Sequence, residues 1–386
     1  MRYIPYFYRM SKVVKIGILG GGQLGRMLLQ AAANYPAEMY VLEKTADCPC
    51  AQLCKNFRLG DLRQYDDVVA FGQELDVITI EIEHVNTEAL QTLKAMGKKV
   101  FPDPAVLQII QDKGLQKQFY ARNKIHSPPF VLTENRADAA TQAAFLPAAH
   151  KLRRDGYDGK GVKILRDVQQ LPDAFDAPSV LEKLIDIHRE LAVIVARSAA
   201  GEMAIYPVCE MVFHPEYNLV DYLISPADIS VNAYEEATQL AVKTVEAFDA
   251  PGIYAVELFM DKQGKIWVNE VAPRAHNSGH ATIEGNFSSQ YDMQMRLFLG
   301  LPLGDTATIM PSLMFNLIGA PGHQGSVQYA GLEKALQQKA VYVHLYGKSN
   351  TAPGRKMGHV TLLHPEREQL IKTYHRIKDN IQVIST

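Results

Sequence analysis

The sequence predicts an α/β protein. A doubly wound, open parallel sheet over residues 12–107 is expected first, then a larger unit built on an antiparallel sheet, then a smaller C-terminal unit. Three observations carry this. The run VVKIGILGGG is almost wholly apolar and ends in glycines, as a strand buried on both faces does, and LGRMLLQAAAN follows with helical periodicity. Strand-like segments MYVLEK, DVITIEIEHV and KKVFPDP then alternate with helix-like ones, the order that builds parallel βαβ units. From about residue 186 the strand-like segments lengthen into RELAVIVARS, MAIYPVCEMV, IYAVELFM and KIWVNE, which predicts an antiparallel sheet with one covered face.

The remaining elements follow in order. DKGLQKQFYARN is helical and opens the second unit; residues 124–185 form a compact subdomain that contains the loop RRDGYDGKG. The helix EEATQLAVKTVEAFD separates the two pairs of long strands. After PLGD, strands are expected near AVYVHLYGK and GHVTLLH. The opening MRYIPYFYRM has no apolar core of a signal peptide, so residues 1–11 are set apart as an N-terminal extension, with residues 1–9 expected to be disordered.

Composition narrows the function. The 386 residues are 47% apolar and 21% charged with a net charge of −2, which suits large cores and gives no basic surface for nucleic acid or for an acidic membrane. No apolar run nears the roughly 20 residues that span a bilayer. Cys48, Cys50, Cys54 and Cys209 are expected to be free thiols of a reducing cytosol, since CPCAQLC lacks a nearby fourth ligand for a closed zinc or iron–sulfur site.

Three motifs bear chemistry. Gly20, Gly22 and Gly25 match G-x-G-x-x-G between a strand and a helix, and Glu43 ends the second strand where a ribose-binding acid sits in dinucleotide enzymes. A nicotinamide-dependent oxidoreductase is therefore one reading, although any tight strand-to-helix turn also selects glycine. The second motif is VELFMDKQGKIWVNE. With a turn centred between Gln263 and Gly264, cross-strand partners sum to 527, so 259 faces 268 and Glu257 faces Glu270. Opposed carboxylates destabilise a sheet unless a cation sits between them, and an all-oxygen pair suits magnesium carried with a triphosphate. In the third, RRDGYDGKG, the glycines allow close backbone approach to phosphates and Lys160 adds charge.

Together with GGGQLGRML, QDKGLQKQF, EKLIDIHREL, NEVAPRAHNSGH, LPLGD, HLYGK and GRKMGHVTLL, these segments resemble the ATP-grasp enzymes, and among them the 5-(carboxyamino)imidazole ribonucleotide synthetases of purine biosynthesis. The resemblance covers nearly the whole chain after Met10. It implies a Rossmann-like pre-ATP-grasp domain (12–107), an ATP-grasp domain (108–300) and a C-terminal domain (301–386). It further implies that Lys113 and Lys151 meet the ATP phosphates and that Gly156, Tyr157, Asp158, Gly159, Lys160, Gly161 and Val162 form a loop over them. Glu182, Lys183, Leu184 and Ile185 would hold adenine, Glu190 the ribose and His214 the adenosine. Magnesium would be held by Glu257 and Glu270, with Asn269 beside them. Gly22, Gln23, Leu24, Glu81, Tyr157, Lys160, Arg274, His276, Asn277, Ser278, Lys348 and Arg355 would surround the aminoimidazole ribonucleotide and the bicarbonate-derived group, with Arg274, Lys348 and Arg355 catalytic. Glu81 and its neighbour Glu83 are expected on one face of a strand. The chain departs from the family pattern at Ala281, commonly tryptophan, and Gln294, usually histidine. The implied reaction joins ATP, bicarbonate and the amine through carboxyphosphate in a cytoplasmic homodimer. Another ATP-grasp ligase, of the formate-dependent glycinamide ribonucleotide transformylase type, is the alternative that shares the nucleotide chemistry.

Overall fold

The structure is a computed structural model and describes residues 13–154, 156, 161–213 and 220–386. The N-terminal extension, Tyr157, Asp158, Gly159, Lys160 and His214 lie outside the described residues.

The first sheet contains β1 (Val14–Leu19), β2 (Ala37–Glu43), β3 (Asn56–Leu59), β4 (Val77–Ile80) and β5 (Lys99–Phe101) in the parallel order β3-β2-β1-β4-β5. The strand order reverses between β1 and β4, which places the turns after these two strands at one crevice. Helix α1 (Gln23–Ala32) starts there. Two differences from the sequence reading stand out. NFRL forms a strand that its polar, half-exposed residues hide. DVITIEIEHV pairs only as far as Ile80, so Glu81 and Glu83 sit in the following turn and share no strand face.

Helix α2 (Lys113–Arg122) leads to an antiparallel sheet of β6 (Phe130–Thr133), β7 (Ala148–Leu152), β8 (Val162–Leu165) and β9 (Ser179–Lys183), in the order β6-β9-β7-β8. AAHKL therefore is a strand, and Lys151 lies on it.

The central sheet begins with β10 (Ile187–Arg197), β11 (Met203–Ile205), β12 (Cys209–Phe213), β13 (Val220–Ser225), β14 (Gly252–Asp261) and β15 (Ile266–Ala272). Ser230 caps α3 (Val231–Phe248), which lays Ala237, Leu240, Ala241 and Val245 against Leu191, Val193 and Val195 of β10 and Val256 and Leu258 of β14. The alternate residues Ile194, Ala196, Ile253 and Ala255 are buried as well, against Met293, Met295 and Phe298 of α4 (Gln290–Leu299) and, through them, Ile16, Met27 and Leu28 of the first unit. The expectation of one covered face is thus corrected: both faces are covered, and the second anchors the parallel sheet beside the central one.

Of the six strands of the C-terminal region, the first, third and fifth extend this same sheet, and the second, fourth and sixth form a separate sheet of three. In chain order, β16 (Ser312–Ile318), β17 (Gly325–Ala330), β18 (Val341–Leu345), β19 (Asn350–Thr351), β20 (Lys356–Leu363) and β21 (Gln382–Ser385) follow, and the central order reads β15-β14-β10-β12-β13-β16-β20-β18. Helix α5 (Arg367–Ile377) covers the extension with Leu370, Tyr374 and Ile377, spaced for one helix face. Its first residue is tied to the middle of the sheet: Glu210 on β12 accepts from Arg367 Nη2 at 2.5 Å and from Arg189 Nη1 at 2.7 Å. Removing the shared acceptor leaves two half-buried guanidinium groups unpaired. Glu210→Ala is expected to lower stability by about 3 kcal/mol, read as a lower urea midpoint with ATP affinity changed little.

Candidate active site

The predicted hairpin is present, and its register is shifted part-way along. Glu257 faces Glu270 as expected, but Leu258 faces Val268 and Phe259 faces Trp267, so the expected pairing of 259 with 268 is corrected. A bulge at Asn269 absorbs the difference between the turn, tied by Asp261 N–H to Lys265 O at 3.0 Å, and the outer pairs. The bulge sets Asn269 beside both acids. Burial raises the pKa of Glu257, and the charge of Glu270 adds to the rise; Glu270 is held low by Lys113, with which it forms an ion pair.

Around the acids stand five charged side chains from four elements. Asp112 caps α2 by accepting from Gly114 N at 2.8 Å, and Arg153 grips the same carboxylate at 2.9 and 2.8 Å, fixing where the helix begins. From this start Lys113 and Lys117 project one turn apart. Lys113 meets Glu270, while Lys117 lies 2.6 Å from Glu182 Oε2. Lys151 donates to Glu182 Oε1 and to Asn269 Oδ1, each at 3.1 Å. Glu190, on β10, has no such partner among the described residues, and burial pushes its carboxyl up to about 7. Next to Glu182, Lys183 N–H donates to Pro129 O at 2.8 Å and Leu184 N–H to Pro147 O at 3.1 Å, which fixes the segment running to Ile185.

Beyond β15 the chain turns toward the first unit. Arg274 Nη2 contacts Glu83 Oε1 at 2.8 Å and Oε2 at 2.9 Å, and its Nη1 donates to Ala275 O at 3.0 Å, while its Nε is buried without a hydrogen-bond partner. His276 Nε2 lies 3.3 Å from Glu257 Oε1, and its Nδ1 lies 2.9 Å from Ser278 Oγ. Burial, with Arg274 nearby, pulls the His276 imidazole down to about 3, so it is neutral. The buried amide of Gln290 holds the His276 main chain twice: its Oε1 accepts from His276 N and its Nε2 donates to His276 O, both at 2.9 Å.

These groups line one cavity of about 1420 Å³. Its wall includes Lys113, Lys151, Gly156, Val162, Glu182, Lys183, Leu184, Ile185, Glu190, Glu257, Asn269, Glu270, Arg274, His276, Asn277 and Ser278. The volume exceeds the about 300–1,000 Å³ of a single-ligand site, so two substrates can share it. Gly22, Gln23, Leu24, Glu81, Lys348 and Arg355 lie outside the wall, as does Gly161. Most of these gather at the crevice behind Arg274, where Glu81 feels the charges of both Arg274 and Lys348. Lys348 is lowered to about 8 by burial and by Arg355, and it donates to Lys356 O at 2.6 Å; Arg355 donates to Asn350 O at 2.6 Å.

The glycine loop has a different tenant from the one its fingerprint suggests. Leu24 N–H donates to Glu81 Oε1 at 3.2 Å, and Gly21 N–H to Glu43 Oε2 at 2.8 Å. A Cβ on Gly22 would stand 2.3 Å from Glu81 Oε1, and Gly20 has φ +107° with Glu81 Cβ 2.9 Å from where its own Cβ would be. The glycines thus admit a carboxylate of the same chain at the helix start, where a dinucleotide enzyme holds pyrophosphate. Cys48, Cys50 and Cys54 pack behind this loop as buried free thiols, and Cys209 is a buried free thiol as well.

Among the described residues no three His, Cys, Asp or Glu side chains converge as a metal cluster. The donor set nevertheless fits a hard cation. Two opposed carboxylates and the adjacent Asn269 amide are all-oxygen, and the raised pKa of Glu257 marks a negative charge that wants a partner. Sequence reasoning missed Lys117, Asp112, Arg153, Gln290 and the pairing of Glu83 with Arg274. The helical spacing of Lys113 and Lys117 was a usable signal; the other contacts join residues far apart in the chain.

Comparison with known proteins covers most of the chain. Residues 13–111 match the model of the ribonucleotide synthetase preATP-grasp domain, 118–291 that of the ATP-grasp domain, and 312–373 that of the phosphoribosylaminoimidazole carboxylase C-terminal domain. The chain is 40% identical over 367 residues to the N5-carboxyaminoimidazole ribonucleotide synthase of Brucella melitensis, covering 91% of this chain and 96% of that protein. Against the phosphoribosylaminoimidazole carboxylase of Vigna aconitifolia chloroplasts it is 34% identical over 91% of its own length, but it spans only 64% of that longer protein. The crystal structure of N5-carboxyaminoimidazole ribonucleotide synthetase from Thermotoga maritima superposes with a TM-score of 0.89 at 36% identity, covering 97% of this chain and 100% of that one. An Aspergillus clavatus N5-carboxyaminoimidazole synthase, solved with ADP and 5-aminoimidazole ribonucleotide, gives 0.85 at 31% identity, covering 95% and 98%.

Proposed function

Because the chain belongs to the N5-carboxyaminoimidazole ribonucleotide synthase family of ATP-grasp enzymes, we propose that it uses ATP and bicarbonate to carboxylate the exocyclic amine of 5-aminoimidazole ribonucleotide. The observation that carries this is the Glu257–Glu270 pair with Lys113 and Lys151 in one cavity with Arg274 and His276. The Aspergillus clavatus complex supports the choice of acceptor.

Bicarbonate is a poor electrophile. Its oxygen attacks the γ-phosphorus, the bond to the bridging oxygen of ADP breaks, and carboxyphosphate forms. The amine nitrogen then takes the carboxyl carbon, or the carbon dioxide released from it, as phosphate departs and the amine loses a proton. Phosphoryl transfer of this kind rests on positioning and charge neutralisation. Lys113 and Lys151 supply positive charge at the phosphates, and Glu190 faces the ribose. Glu257 and Glu270 would hold magnesium, which when bound neutralises charge between the phosphates. Arg274, already oriented by Glu83, presents a fixed guanidinium to bicarbonate and carboxyphosphate. The neutral His276 can accept or share a hydrogen bond at the amine without adding charge. Lys348 and Arg355, behind Arg274, would bind the ribonucleotide phosphate from the crevice side.

Mixing the protein with magnesium, ATP, bicarbonate and each candidate acceptor, and following phosphate release, tests the assignment. Release is expected only with 5-aminoimidazole ribonucleotide and should fall when bicarbonate is removed. Release driven by formate and glycinamide ribonucleotide would instead place the chain with the transformylase type, and no release with any acceptor would end the ligase reading.

A further inference from the structure

We infer that Lys117, which lies behind the cavity wall, is a positioning residue for the ATP-handling half of the reaction: it holds Glu182, and through Glu182 it sets the Lys151 side chain. This rests on the proposed function above.

Lys117 is 3% exposed and Glu182 2% exposed, so this is a charge pair almost out of contact with water. Lys117 Nζ stands 2.6 Å from Glu182 Oε2 as a charge contact without the alignment of a hydrogen bond, and Lys151 Nζ reaches Glu182 Oε1 and Asn269 Oδ1, both at 3.1 Å. One carboxylate thus holds two ammonium groups, one on each oxygen. Lys151 and Glu182 line the cavity; Lys117 does not. Lys117 Nζ also stands 5.8 Å from the centre of the Tyr120 ring.

A buried ion pair is seldom retained for stability, because a well-packed apolar pair does as well or better. This pair has an electrostatic consequence at the cavity. A buried carboxylate with a single cation holds that cation tightly, since its attraction is little screened. With Lys117 fixed on one oxygen, the pull of Glu182 on Lys151 is shared, and the Lys151 ammonium stays extended toward Asn269 and the cavity, free to turn to a phosphate. Without Lys117 the same carboxylate would draw Lys151 inward. The helix spacing makes the device economical, because α2 delivers Lys113 to Glu270 and Lys117 to Glu182 from one face.

The test is steady-state kinetics on the full chain. Lys117→Met is expected to raise the KM for ATP at least tenfold while the KM values for bicarbonate and the acceptor stay within twofold. In a Glu182→Gln background, where no buried carboxylate pulls on Lys151, adding Lys117→Met should change the KM for ATP by less than twofold. That double variant leaves no charge behind the cavity wall, and the cavity-lining Lys151 keeps its contact with Asn269, so it serves even if the Lys117→Met variant fails to fold. A KM for ATP within threefold of wild type in the single variant overturns the inference. So does a tenfold further rise in the double variant, or a uniform loss of kcat with every KM unchanged. Failure of the carboxylation reading is distinguishable: wild type would then show no ATP-dependent phosphate release, and calorimetric ADP binding to the same variants would still report on the clamp.

Discussion

Replacing Arg274 with alanine is expected to reduce acceptor-dependent phosphate release by about 10²–10³-fold, the loss typical of removing one fixed donor from developing negative charge. Affinity for ADP, measured by calorimetry, should stay within about threefold, because among the described residues Arg274 bonds to Glu83 and Ala275 and not to Lys113, Lys151 or the segment from Glu182 to Ile185. Two features set the direction. The guanidinium is oriented before substrate arrives by Glu83 at 2.8 Å and by the Ala275 carbonyl at 3.0 Å, so little reorganisation is needed during the reaction. Its charge also acts on Glu83 and Glu81, two carboxylates that would otherwise repel bicarbonate. Arg274→Lys restores the charge but not the planar fork, and should recover only part of the rate. Near-normal turnover in the alanine variant would remove Arg274 from the chemistry. Parallel loss of ADP affinity would make its role structural.

Glu257→Gln is expected to act in opposite directions on activity and on stability. ATP turnover should fall about a thousandfold, since one of two carboxylates facing the phosphates is gone. The nucleotide-free protein should become more stable at pH 8 by about 1 kcal/mol, or about 2–4 °C in melting temperature. The sign follows from the raised pKa of Glu257, caused first by burial and next by Glu270. A carboxyl raised in the folded state contributes stability below its unfolded pKa and loses it as pH climbs through the raised value. Between the ordinary carboxylate range and that raised value, wild-type stability should therefore fall with pH, and the glutamine variant should lack this slope. Saturating magnesium and ATP should reverse the order, stabilising wild type more than the variant. A variant that melts lower than wild type at pH 8 without ligand would show that the two acids do not repel, and the case for a cation between them would fail.

Much of this was legible before folding. A strand buried on both faces, a helix stripe and a two-stranded turn are short-range patterns, and each was found from a window of a dozen residues. The facing of Glu257 with Glu270 was expected from a turn position one residue off the observed one, and it holds because the extra residue of the bulge at Asn269 restores the offset before the acids are reached. The same local logic failed where a pattern admits two tenants. The glycine fingerprint specifies close approach at a helix start, but whether phosphate or carboxylate approaches depends on what the next parallel strand delivers. Here β4 delivers Glu81.

The chain by itself determined the apolar strands and the periodic helices, that two acids oppose each other on one hairpin, and that α2 carries lysines on one face, because these depend on spacings of two to four residues and on turn geometry. Only the tertiary structure decided that Glu83 orients Arg274 across 191 residues, that Lys117 lies behind Glu182 instead of in the cavity, and that both faces of the central sheet are covered. The reason is physical. Periodicity states which face of an element is apolar, whereas the partner of a charged group is set by topology and packing between elements that no local spacing relates.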